Sequence, residues 1–129
     1  MICLSSAYLQ AQVTDYRVVF DLTSSDTVDQ KAVLNWVHEI ADNNQGAKVE
    51  VVLYGKSLDL IRKGKSVAAA EVEKLAANKS ATFKVCAIAL KNNNVDKSEL
   101  IPGVEIVPDG IYEIISKERE GWGYIKAKR

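Results

Sequence analysis

The sequence predicts an α/β protein: a three-layer α/β/α single domain on a mainly parallel five-stranded sheet. Three observations carry this. Short runs rich in β-branched and aromatic residues alternate with stretches of helical periodicity through the body of the chain. The strand-like runs are nearly continuous in apolar character, as suits strands covered on both faces. The 129 residues are enough for one domain with a real core and too few for two. Alternating β and α units imply right-handed crossovers, which put helices on both faces of the sheet. No internal repeat, low-complexity stretch or linker interrupts the pattern.

The first strand is YRVVFDL, Tyr16 to Leu22, followed by the polar turn TSSDT. Thr27 and Gln30 make a T-x-x-Q capping-box pattern, which opens a helix. In that helix Val33, Trp36, Val37, Ile40 and Ala41 form one apolar face. DNNQG stops it, with Gly46 as a left-handed cap. The second strand is AKVEVVLYG, Ala47 to Gly55, and a one-turn piece, SLDLIRKG, follows. Ser66 can cap the next helix, whose inward stripe is Ala68, Val72, Leu75 and Ala76. ATFKVCA is the third strand, AIALK a short helix, and PGVEIVP a fourth strand between two prolines. The last helix, DGIYEIISKERE, is expected to face Ile111, Ile114 and Ile115 inward, and GWGYIKAKR closes as a fifth strand or tail.

Composition excludes several functions. Seventeen basic residues balance seventeen acidic ones, so no global field attracts nucleic acid or an anionic membrane. The longest apolar runs fall far short of a membrane span. Two cysteines, Cys3 and Cys86, do not make a disulfide framework. With one histidine and no CxxC, neither a metal site nor a cofactor is predicted. Residues 1–12 form a leader, ahead of a domain at 13–129. The leader's apolar, small-residue character up to Ala11 fits the remnant of a signal peptide, although it lacks a basic n-region. That reading implies an exported or periplasmic protein. The alternative is an N-terminal arm packed on the domain or a neighbouring subunit, in a cytoplasmic protein.

Ligands of open parallel sheets bind beyond the carboxyl ends of the strands. Three loops are expected there: TSSDT, YGKSLDL and CAIALK. Cys86 stands at a strand-to-helix junction, where free N–H groups and the helix dipole favour thiolate, the nucleophilic form. The alternative is a small buried hydrophobe in the core. His38 lies mid-helix, one step off the apolar stripe, and reads as structural rather than as a base for Cys86. GKS at Gly55 to Ser57 lacks the glycine of a P-loop, since Glu50 stands in its place. Thr23, Ser24 and Ser25 precede a helix and could bind a small anion through backbone N–H groups, though capping explains them as well. Lys56, Arg62, Lys63 and Lys65 make the densest basic run, a solvated face or a surface for an anionic partner. Tyr54, Tyr112, Trp122 and Tyr124 read as core or subunit contacts, or as walls of an aromatic pocket beside Cys86.

The stretch FKVCAIALKNNNVD resembles the cysteine segment of the DsrE/DsrF-like (YchN-like) family, which includes the sulfur-relay subunit TusD. The resemblance rests on Val85, Cys86, Ala89-Leu90 and Val95-Asp96. VEVVLYGKSLDLI is similar to the family's second strand and following loop, and VEIVPDGIYEII to its late strand and helix. It spans roughly Tyr16 to Ile125. What it implies is a parallel α/β/α subunit that assembles into trimers or hexamers. In the relay members the matching cysteine accepts sulfane sulfur as a persulfide and passes it to a partner protein; on this chain that acceptor is Cys86. The sequence departs from the relay subunits at Asn92, Asn93 and Asn94, where they tend to have Arg and Gly. The rival expectation is a non-catalytic oligomeric binding or assembly module with Cys86 buried.

Overall fold

Five strands and four helices alternate along residues 15–128, which the computed structural model describes. They are β1 (Arg17–Leu22), α1 (Thr27–Asn43), β2 (Lys48–Leu53), α2 (Ala69–Ala77) and β3 (Thr82–Cys86), then α3 (Ala87–Asn92), β4 (Glu105–Val107), α4 (Gly110–Arg119) and β5 (Gly123–Lys126). The leader and Cys3 lie outside the described residues. The strands form one sheet in the order β4-β3-β2-β1-β5, with every neighbouring pair parallel. The three-layer α/β/α architecture expected from the sequence is therefore what forms.

The layers differ greatly in chemistry. On one face Val18, Phe20, Leu22, Val51, Leu53, Phe83 and Val85 of the sheet meet Val33, Leu34 and Val37 of α1, Val72 and Leu75 of α2, and Ala89 and Leu90 of α3. This is the main core, and Trp36 stacks on Phe20 at its edge with ring centroids 5.7 Å apart. Among the described residues, the opposite face carries α4 alone. Its buried apolar cluster among the described residues is Val19, Val52 and Ile114, with Tyr54 and Trp122 partly buried beside it.

That difference corrects one expectation. Ile111 and Ile115 are exposed, and of the three isoleucines of α4 only Ile114 is buried. The residues of α4 that meet the sheet are Gly110, Glu113, Ile114 and Lys117, at i, i+3, i+4 and i+7. Two of the four are charged, so the apolar pattern alone pointed to the wrong face.

The helix starts also differ in detail. Asp26, not Thr27, caps α1, and its carboxylate accepts from the Val28 N–H at 2.8 Å. Gln30 instead donates to the Ser24 carbonyl. Ser66 accepts from Ala68 N–H in the turn that precedes α2, rather than capping the helix itself. Gly46 does adopt a left-handed backbone (φ +82°), two residues beyond the Asn44 cap. The fourth strand is only three residues long, and the closing segment does form a strand, β5, beside β1.

Candidate functional site

The chain leaves β1, β2 and β3 toward helices on the main-core face, but leaves β4 toward α4 on the other face. Between the neighbouring strands β3 and β4 the exits therefore diverge, and a crevice opens at their carboxyl ends. This is the switch point at which open α/β sheets bind ligands. A pocket of about 190 Å³ lies there, lined by Tyr54, Gly55, Cys86, Ile88, Ala89, Asn92, Asn93, Asp109 and Ile111.

Cys86 is the last residue of β3 and the N-cap of α3, with extended backbone and a thiol that makes no capping bond. It is a free thiol, 6% exposed. Alternation along β3 turns it toward α4, in line with Lys84, while it also borders the main core cluster. The first turn of α4 lies directly over it. Gly110 comes so close that a Cβ there would sit 3.0 Å from Cys86 Cβ and 3.3 Å from Val52 Cγ1. Glycine is favoured there by space rather than by backbone conformation, since its φ is not left-handed and a Cβ would press on its neighbours. Asp109 fixes that turn by accepting from the Ile111 and Tyr112 N–H groups at 3.0 and 3.2 Å.

Tyr54 forms the wall on the β2 side. The register that pairs Leu53 with Val85 brings it level with Cys86. Burial, then the neighbouring Asp21, holds its phenol well above the usual tyrosine range, so it stays protonated. Asp21 also accepts from Tyr124 and lies 3.6 Å from Lys126 Nζ. Ser57 anchors the Tyr54 loop: its buried hydroxyl lies 2.7 Å from the Leu22 carbonyl and 2.9 Å from the Tyr54 carbonyl. The GKS segment thus contributes a structural tether. Gly55, in left-handed conformation, packs on Thr23.

The three asparagines end α3. Asn93 donates from its side chain to the Ala89 carbonyl at 2.8 Å, and Asn94 takes a left-handed backbone (φ +51°). Asn92 and Asn93 line one side of the pocket.

The other sequence candidates lie elsewhere. His38 pairs with Glu71 of α2 at 2.7 Å and does not line the Cys86 pocket. The Ser24 hydroxyl donates to Asp29 and accepts from the Asp26 N–H, and Thr23 accepts from Lys56 N–H through its carbonyl. Arg62 pairs with Asp59 and Glu99 rather than standing free. No group of three or more possible metal ligands occurs among the described residues, and none of their helices is long and apolar enough to cross a membrane. Asp109 and Gly110 were not singled out from the sequence. The signal for them was a DG pair between a strand and a helix, the Asp in cap position and the Gly at the first helical residue.

The fold and site define a class: a parallel α/β/α domain with a free cysteine at the switch point of its sheet. The chain belongs to the DsrE/DsrF-like family, whose model matches residues 17–127. A protein of unknown function from Methanobacterium thermoautotrophicum, MTH1491, has a similar solved structure. It is 28% identical with a TM-score of 0.81, and the match covers 87% of this chain and 99% of that one. The ychN protein from E. coli is 11% identical with a TM-score of 0.71, covering 86% of this chain and 98% of that one. BT1422 from Bacteroides thetaiotaomicron, of unknown function, is 14% identical with a TM-score of 0.69, covering 84% and 92%. The last two likenesses speak for the fold alone. No curated protein matches the chain.

Proposed function

We propose that this protein is a sulfur carrier that holds sulfane sulfur as a persulfide on Cys86. The observation that carries the reading is the placement of a free thiol in the pocket at the switch point, under the first turn of α4. The Cys86 thiolate attacks the outer sulfur of a donor persulfide R–S–SH. The donor S–S bond breaks, R–S⁻ departs, and Cys86–S–SH remains. An acceptor thiolate then attacks the same outer sulfur and Cys86 leaves as thiolate. No electrons are gained or lost overall, and no general base is needed. The pocket, small and walled by Ile88, Ile111 and Tyr54, suits a bound sulfur atom and the tip of a donor side chain. Donor and acceptor are proteins on this reading. In a Cys3→Ser background, incubation with a persulfide donor is expected to add one sulfur atom by intact mass. A gain that survives Cys86→Ser, or no gain at all, would sink the reading.

A second reading, a non-catalytic binding or assembly module, is favoured by the low exposure of Cys86. It predicts that the native thiol resists alkylation. Under either reading we infer a homo-oligomer, a trimer or hexamer. Ile111, Tyr112 and Ile115 make an apolar outer stripe on α4, exposed by 56%, 57% and 39%. Light scattering is expected to find an assembly that Tyr112→Glu dissociates. A monomeric native protein would refute it.

A further inference from the structure

Ionic contacts make up much of what holds α4 on the sheet. Glu50, in the middle of β2, is 2% exposed and faces α4. Its Oε2 lies 3.4 Å from Lys84 Nζ of β3 and 3.8 Å from Lys117 Nζ of α4. Glu113 of α4 lies 3.2 Å from Lys84 and 3.9 Å from Lys117. Glu50 Oε1 is buried with no hydrogen-bond partner among the described atoms. An orphaned carboxylate oxygen in such a place is costly. A proton on Glu50 lessens that cost, and the carboxylate placed to share it is Glu113, which meets the same two lysines.

We propose that the Glu50–Glu113 pair is a proton-operated latch, which holds α4 down over Cys86 while the proton is shared and loosens it when Glu50 ionises. The connection is short. Glu113 is one turn beyond Gly110, the residue packed on Cys86, and Asp109 and Ile111 line the Cys86 pocket. Toward the opposite end of the sheet a cavity of about 270 Å³ lined by Lys84, Lys117 and Trp122 adjoins Glu50.

The groups that face Glu50 are Lys84 from β3, Glu113 and Lys117 from α4, and Lys48 from its own strand, with Lys79 and Glu105 of β4 at the cavity rim. β1 places Val19 against it, with Arg17 and Asp21 of the same strand on either side of Val19 on that face. Burial first, and then the Glu113 contact, push the Glu50 carboxyl up to about 8, although Lys84 and Lys117 pull it down. Once α4 lifts and water enters, Glu50 returns toward its ordinary value of 4.5. The docked state therefore binds the proton more tightly. Its advantage is full below pH 4.5, declines as pH rises toward 8, and is lost above it. Glu113, held low by Glu50 and Lys84, and Lys84, held high by Glu50 and Glu113 against its burial, titrate outside this window.

The test uses full-length Cys3→Ser protein and its Glu50→Gln derivative, which keeps the shape and a donor but cannot ionise. Amide exchange in α4 and iodoacetamide labelling of Cys86 are followed from about pH 5 to about pH 9. The ratio of the two proteins at each pH cancels the intrinsic pH dependence of exchange and of thiol reactivity. That ratio is expected to rise at least about tenfold across the range for both readouts. A flat ratio in either overturns the latch. Should Glu50→Gln not fold, Glu113→Gln serves: removing the facing carboxylate is expected to move the step to lower pH, and an unmoved step overturns the proposal. Neither readout involves sulfur transfer, so the latch stands or falls apart from the sulfur-carrier reading.

Discussion

Lys84→Met is expected to lower the unfolding free energy by about 3 kcal/mol near neutral pH, at the lower end for breaking a buried ion pair. Lys84 is 17% exposed at its side chain and serves two carboxyl groups, Glu50 and Glu113. Below pH 8 Glu50 carries its proton, so the ion pair lost is mainly the one with Glu113. Lys117 remains, but at 3.8 and 3.9 Å from the two carboxyls it is the more distant partner. The loss should grow with pH. Lys84 is a cause that lowers the Glu50 pKa, so its removal drives that pKa further up. The wild-type protein stops losing stability from this group once pH passes about 8, whereas the variant goes on losing it. Urea unfolding at several pH values checks this. A Glu113→Gln change added to Lys84→Met should recover part of the stability, since it removes the charge left unpaired. A loss independent of pH, or no recovery, would mean that Lys84 acts through packing of its stem rather than through charge.

The same cluster explains what the sequence concealed. β1, β2 and β3 were legible because their apolar runs are buried on both faces, and α1 because Val33, Val37 and Ile40 keep a helical period against one large core. Cys86 was legible as a residue at the carboxyl edge, because the end of an apolar strand and the start of a helix fix that place. α4 was not. Its isoleucines at 111, 114 and 115 describe an apolar stripe, and a stripe normally faces the sheet. Here the sheet presents Glu50 and Lys84, so the helix turns Glu113 and Lys117 toward it and leaves two isoleucines outside. The available signal was a single charge of opposite sign in the middle of each of two buried neighbouring strands, KVEVVL and TFKVC. Lone buried charges need partners, and a helix must supply what the strands do not. The Thr27–Gln30 pattern misled for a simpler reason: Asp26 stands one residue earlier and is an equally good cap.

Phe83→Ala is expected to cost about 3–5 kcal/mol, a large part of the total of about 5–15 kcal/mol that holds a domain folded. Phe83 is fully buried on the main-core face, in register with Val51, and is among the largest side chains to be so. Its neighbours come from the central strands and from the helices over them, so the cavity cannot close by moving one element. The expected result is a lower urea midpoint with the slope unchanged, because the sheet and the helices over it unfold as one unit. Ile114→Ala makes the contrast. It deletes one of the three residues of the buried apolar cluster described on the α4 face, where ionic contacts of Glu113 and Lys117 carry much of the rest. There the cost should be local: α4 amides exchange faster while β1 to β3 keep most of their protection. If both substitutions accelerate exchange everywhere to the same degree, α4 belongs to the one cooperative unit and cannot open over Cys86 by itself. If they separate, the layer that covers the thiol is the weakest part of the fold, and access to Cys86 is set by the stability of one helix rather than by the stability of the domain.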